Sequence, residues 1–235
     1  MVFCEARFFM QKWGKRKAPA HVPRQIFSLP SSRRACYNIP STDGGLGMKL
    51  FIASDIHGSA YYCRRMLEAY DREKADRMLL LGDILYHGPR NDLPREYAPK
   101  EVIELLNARR DDILCVRGNC DTEVDQMVLE FPILADYAFL HVDGYTLYAT
   151  HGHVYNAAHR PPMHPGDILL QGHTHVPTWK DRVFNPGSIS IPKENSEHSY
   201  MTLKDGVFRW KTLEGVAYHI WSDDQMARTI SRTEP

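Results

Sequence analysis

The chain has 235 residues, enough for one large domain with a substantial buried core, and its 43% hydrophobic and 25% charged residues are an ordinary globular composition. Formal net charge is zero, so no global field draws it to nucleic acid or a membrane surface, and no apolar run approaches the ~18 residues a membrane helix needs. Five cysteines (Cys4, Cys36, Cys63, Cys115, Cys120), odd in number and without a Cys-x-x-Cys pair, read as reduced thiols of a cytoplasmic chain rather than a disulfide framework.

Residues 1–47 read as a basic N-terminal extension outside the fold. They hold eight Lys/Arg against Glu5 and Asp43, leaving 21 basic and 27 acidic residues for the rest. Apolar residues there show no period, prolines interrupt them, and SSRR and STDGGLG have loop composition. Met48 directly precedes a clear strand, so the upstream residues read as a leader or a mis-assigned start, with a targeting segment or a nucleic-acid arm as the functional alternatives.

From Met48 the pattern is regular, and a single domain is expected over 48–221. MKLFIAS (48–54) is a continuous apolar strand of the kind buried on both faces of a sheet. Asp55-Ile56-His57-Gly58-Ser59 ends it, and Ser59 can cap a helix whose Met66, Leu67 and Tyr70 form an apolar face. Arg77–Leu81 reads as a second strand ended by Gly82-Asp83. A polar loop (87–99) and a helix over Lys100–Ala108 follow. Ile113–Val116 is a third strand, ended by Arg117-Gly118-Asn119-Cys120-Asp121. Cys63 and Cys115 fall at core positions.

The second half is strand-rich. Tyr137–Val142 and Tyr145–Thr150 are joined by Asp143-Gly144, a hairpin signal, and His151-Gly152-His153 closes the pair. Asp167–Gln171 runs into Gly-His-Thr-His (172–175). Thr178–Val183, Ser199–Leu203 and Val207–Thr212 are further strands, and 222–235 is a polar tail. The whole reads as α/β, two packed sheets with helices on their outer faces.

Five strand ends finish in metal-competent residues: Asp55/His57, Asp83, Asn119, His151 and His173/His175. On an extended segment, His173 and His175 would point to one side, serving two neighbouring metal ions or one. In open α/β sheets, ligands bind beyond the carboxyl ends of strands. Two carboxylates, one amide oxygen and four imidazoles suit two divalent cations of borderline hardness. Mn is the first choice, with Zn, Fe or Ni as alternatives. Two such ions ~3.5–4 Å apart clamp a phosphoryl centre and lower the pKa of a bridging water that attacks in line. One carboxylate must bridge them, and Asp83, alone at its strand end, is the best candidate.

Asp-Ile-His (55–57), Gly-Asp (82–83), Arg-Gly-Asn-Cys-Asp (117–121), His-Gly-His (151–153), Gly-His-Thr-His (172–175) and Asn-Pro-Gly-Ser (185–188) together resemble the calcineurin-like metallophosphoesterase superfamily, in particular its small bacterial phosphodiesterases. The resemblance covers Met48 to about residue 212. It implies a four-layer α/β/β/α sandwich, with two mixed sheets flanked by helices and a dinuclear site in the loops. It also implies Asp55, His57 and His175 on one metal, Asn119, His151 and His173 on the other, and Asp83 between them. His153 would face substrate or orient a ligand, and Asp121 would orient its neighbours. Many members carry His where this chain has Cys120. A thiol is a poor acid for an alkoxide leaving group, which speaks for diesters over monoesters.

The loop 87–99 is expected to face substrate. Arg90 is the candidate for a non-bridging phosphate oxygen, with His87 and Arg117 as further binding candidates. The bland alternative pairs these arginines with surface carboxylates such as Asp92 or Glu96. The expected function is hydrolysis of a small phosphodiester, with homo-oligomerisation left open. Alternatives are a non-catalytic scaffold of the same fold, or a monoesterase or nuclease of the same superfamily. A net acidic catalytic region without a basic–aromatic stripe argues against nucleic acid as partner.

Overall fold

The computed structural model describes residues 34–38, for their backbone, and residues 47–223. Most of the N-terminal extension and of the polar tail lie outside them. The first half gives strands β1 (Arg34–Asn38), β2 (Leu50–Ala53), β3 (Arg77–Leu80) and β4 (Ile113–Cys115), with helices α1 (Ala60–Glu73), α2 (Pro99–Asn107) and the short α3 (Glu123–Gln126). The second half gives strands β5 (Tyr137–Val142), β6 (Tyr145–Ala149), β7 (Ile168–Leu170), β8 (Thr178–Lys180), β9 (Val183–Asn185), β10 (Ser199–Lys204), β11 (Val207–Thr212) and β12 (Ala217–Trp221).

Two mixed six-stranded sheets result, one ordered β12-β11-β10-β2-β3-β4 and the other β1-β5-β6-β7-β9-β8. The continuous apolar run of β2 is explained by its central place: all four residues are buried. Alternation sends Leu50 and Ile52 into the layer between the sheets, where they join Leu140, Leu147, Leu170 and Phe184. Phe51 and Ala53 face the other way, toward α1 and α2. Helix α1 begins where expected, with Ser59 Oγ accepting the Tyr62 N–H at 3.2 Å. It buries Cys63, Met66, Leu67 and Tyr70 on the sheet and stops at Lys74, whose φ of 49° is left-handed. Cys63 and Cys115 are core residues, as their positions suggested. No helix among the described residues is long and apolar enough to cross a membrane.

Four features depart from the sequence reading. Arg34–Asn38, placed outside the fold, runs parallel to β5 at a sheet edge; five residues without period give no local sign of a pairing made a hundred residues away. The expected strand 178–183 is instead a hairpin, β8 and β9, turned by Asp181 and Arg182 at φ 52° and 55°. Both turn positions need positive φ, and without a glycine the turn had no signature. Strand β12 was not anticipated; it pairs with β11, yet leaves Val216, Tyr218 and Ile220 near or within it exposed. The outer face of the β5-containing sheet is covered, among the described residues, by Tyr155 and Met163 of the segment after His153 rather than by a helix. Pro161, Pro162 and Pro165 keep that segment from helical pairing.

Strands β2, β3 and β4 are mutually parallel, as are β6, β7 and β9. Parallel strands bring their carboxyl ends to the same side. The loops that carry the candidate ligands follow five of these six strands, and Asn-Pro-Gly-Ser follows the sixth.

Candidate metal centre

The loops meet in three groups. Asp55, His57 and His175 form one, Asp83, His151 and His173 another, and His57 and Asp83 meet in a third together with Cys120, which links the first two. The two histidines of Gly-His-Thr-His are therefore divided between the groups. They are not on an extended segment: His173 and His175 have φ of 66° and 62°, and Asp55, His57 and Asp83 are also left-handed. Each such residue costs about 1–3 kcal/mol, so the surroundings must hold it there.

That hold is visible in the second nitrogen of three of the rings. His57 Nδ1 lies 2.8 Å from the Tyr86 carbonyl, His151 Nδ1 2.7 Å from that of Leu81, and His175 Nδ1 2.7 Å from that of Ile191. A carbonyl only accepts, so each Nδ1 is the donor and the lone pair of a neutral ring sits on Nε2. The three Nε2 atoms all turn inward. His57 Nε2 and His175 Nε2 are 3.2 Å apart, at 3.5 and 3.3 Å from Asp55 Oδ1. Asp55 Oδ1 is itself buried with no hydrogen-bond partner. In the second group, His151 Nε2 is 3.3 Å from Asp83 Oδ2 and 3.1 Å from Asn119 Oδ1. Asp83 Oδ2 is also 3.7 Å from His57 Nε2, so one oxygen faces both groups.

Buried acceptors aimed at one another repel unless a cation lies between them. The donor set of imidazole, carboxylate and amide oxygen fits borderline divalent ions. Without such ions the carboxylates favour protons on His151 and His57 instead. Burial pulls the His151 imidazole down, but Asp83 and Asp55 outweigh it and carry it up to about 9. Burial likewise opposes a charge on His57, and Asp55 overcomes it in the same direction. The Asp55 carboxyl is raised by burial, yet His175 and His57 hold it well below the usual carboxylate range.

Close backbone approach completes the arrangement. A Cβ on Gly118 would clash with Asp83 Oδ1 and the Asp83 nitrogen, and one on Gly172 with Ser54 Oγ. Asp121 stands behind the site: its carboxylate accepts N–H bonds from Gly118, Asp83 and Ile84 at 2.7, 2.8 and 2.9 Å. Asn-Pro-Gly-Ser is a brace. Asn185 Nδ2 donates to the Gly172 carbonyl at 2.8 Å and Thr174 Oγ1 at 3.0 Å, while Ser188 and Ser190 hydroxyls donate to the Asp55 carbonyl.

The groups open on a cleft of about 380 Å³ walled by Arg90, Asn91, Asn119, Cys120 and Lys193 as well as by candidate ligand residues. Arg90 is one wall of this cleft, and Glu96, its suggested alternative partner, pairs with Arg64. His87 is elsewhere: its ring packs between Tyr86 and Tyr97, with centroids 4.8 and 5.2 Å away. Arg117 donates to the Asp121 carbonyl at 3.3 Å and is not a cleft wall. His153 is exposed beside the cleft, its ring 5.5 Å from that of His151. Lys193 and Asn91 were not foreseen, since nothing local marks them as parts of a cleft.

Comparison with known proteins gives the same direction. Residues 48–205 match the model of the calcineurin-like phosphoesterase superfamily domain. The chain is 46% identical over 164 residues to phosphodiesterase YfcE of Escherichia coli, covering 68% of this chain and 89% of that protein. It is 27% identical over 153 residues to a phosphodiesterase of Methanocaldococcus jannaschii, covering 60% of this chain and 83% of the relative. The solved structure of the E. coli protein superposes with a TM-score of 0.72 at 42% identity, covering 74% of this chain and 99% of that one.

Proposed function

The chain belongs to the calcineurin-like phosphoesterase superfamily, and from that premise we propose that it is a metal-dependent phosphodiesterase hydrolysing a small diester. The observation that carries the reading is the convergence of Asp55 Oδ1 with the inward-facing Nε2 atoms of His57 and His175 in a buried space. Kinship with a relative named a phosphodiesterase supports diesters as the substrate class.

Asp55, His57 and His175 would hold one divalent ion, Asn119, His151 and His173 the other, with Asp83 shared between them. Mn is the first choice of metal. When bound, such a pair supplies an activated water and stabilises charge on the phosphoryl oxygens. The chain's residues do the remaining work. The carbonyls of Tyr86, Leu81 and Ile191 fix each ring with Nε2 inward. Arg90, on the cleft wall, holds a non-bridging oxygen and orients the phosphorus for in-line attack. Asp121 keeps the Asp83 loop in place through three backbone N–H bonds, and so acts by positioning.

Cys120 occupies the cleft where a general acid would stand. Burial and the Asp83 carboxylate push its thiol up, away from proton transfer at neutral pH. A diester with a good leaving group does not need that proton, whereas a monoester of a poor one does. His153, exposed beside the His151 ring, is the candidate to face an ester substituent. The test is hydrolysis of a chromogenic aryl diester beside its monoester by metal-stripped protein, before and after Mn reconstitution. Metal-dependent turnover favouring the diester is expected. Turnover of neither ester, with metal demonstrably bound, would overturn the reading.

A further inference from the structure

The cleft carries one more cation than a diester phosphoryl requires. Arg90, from the loop after β3, and Lys193, from the loop after β9, both wall it. Among the described residues neither charge has an ion pair, although the arginines at 64, 65, 109, 110 and 182 each have one. Unpaired lysines such as Lys100 and Lys180 also occur on open surface. What distinguishes Lys193 is its place in a cleft whose one carboxylate wall, Asp83, already belongs to the ligand cluster.

Its backbone is also held by the site. The Lys193 N–H donates to the His175 carbonyl at 3.2 Å, and His175 Nδ1 lies 2.7 Å from the Ile191 carbonyl. Ser196 closes the turn, its hydroxyl donating to the Lys193 carbonyl at 2.6 Å, and Glu194 and Asn195 turn the chain at φ 55° and 56°. The segment that orients a ligand histidine therefore also sets the root of the lysine. A long flexible ammonium on a fixed root is suited to an anion at a set distance from the reacting phosphorus.

We propose that Lys193 forms a second anion subsite, selecting diesters whose alcohol part carries a further phosphate or carboxylate. The inference deepens the diesterase reading and rests on it. A diester phosphoryl has a single negative charge, which Arg90 can serve. The ammonium of Lys193 is left for a second anionic group on the substrate, and a charge-assisted contact of this kind contributes enough for ~10- to 100-fold selectivity.

The test uses the Mn-reconstituted chain and two diesters with the same leaving group, p-nitrophenyl benzyl phosphate and p-nitrophenyl para-carboxybenzyl phosphate. The corresponding non-hydrolysable phosphonates are measured by calorimetry. The native chain is expected to prefer the carboxylated member in both kcat/KM and Kd. Lys193→Met should abolish the preference, and Lys193→Arg should retain most of it. Absence of preference in the native chain, or its survival in Lys193→Met, overturns the subsite. If neither ester is hydrolysed while the phosphonate preference is present and Lys193-dependent, the subsite stands and the diesterase reading falls.

Discussion

Asp121 supports Asp83 from behind: its Oδ2 accepts the Asp83 N–H at 2.8 Å and the Gly118 N–H at 2.7 Å, while Oδ1 accepts that of Ile84 at 2.9 Å. A buried carboxylate is suited to this because both oxygens only accept. An amide presents one acceptor and one donor group, so Asp121→Asn sets an N–H against a backbone N–H. We expect a loss of about 1–3 kcal/mol in stability and ~10–100-fold in metal affinity. Denaturant unfolding and metal titration of the variant check both. Unchanged metal affinity would show that the Asp83 loop does not depend on this brace.

Cys120 borders the cleft and its Sγ accepts from Asn119 Nδ2 at 3.2 Å, but the thiol is held protonated by burial and by Asp83. Cys120→Ala should therefore keep both metals and most diester turnover. Metal analysis and steady-state kinetics decide it. Loss of both metals in the variant would make Cys120 a ligand and contradict the assignment.

Metal affinity should rise steeply with pH. In the metal-free chain His151 titrates at about 9 because burial, which lowers it, is outweighed by Asp83 and Asp55. The protonated ring stabilises the metal-free fold fully below its unfolded value of ~6.5, and this contribution disappears as pH rises through about 9. A bound cation needs the same ring neutral, so at pH ~7.5 metal uptake must release protons. Calorimetry in buffers of different ionisation enthalpy counts them. Uptake without proton release would contradict a His151 ring raised by Asp83 and Asp55.

A second pH effect lies away from the cleft, at the start of β2. Glu73, nearly buried at the end of α1, pairs with Lys49 and lies 2.7 Å from Lys211 Nζ and 2.8 Å from Tyr200 Oη. Burial opposes its charge, but Lys211, Lys49 and Tyr200 together bring its carboxyl down to about 2. A lowered folded value stabilises above the unfolded ~4.5, and that stability is lost as pH falls toward about 2. Glu73→Gln should cost about 3–5 kcal/mol at neutral pH by leaving two lysines uncompensated. It should also flatten acid unfolding in this window, leaving kcat of the folded fraction unchanged. Equal stability of the variant at pH ~7 would contradict this.

The candidate ligand residues stand out in the sequence because each lies shortly after an apolar strand: a polar Asp or His within three residues of runs such as LFIA or RMLL has few structural reasons to be there. What could not be read is whatever long-range contact decides. Lys193 reaches the cleft through its bond to the His175 carbonyl, and His87 leaves it for a slot between two tyrosines. Strand spacing could not show the split of His173 and His175 between two groups, because left-handed backbone at both positions replaces the extended geometry. The hairpin of β8 and β9 escaped for the same reason, positive φ without glycine.

A pair of metal ions joined through Asp83 would be seen by electron paramagnetic resonance of the Mn-reconstituted chain, alongside metal analysis. About two Mn per chain with an exchange-coupled spectrum are expected, with loss of that coupling in Asp83→Asn. One Mn per chain, or two with the spectrum of isolated ions, would contradict a shared site.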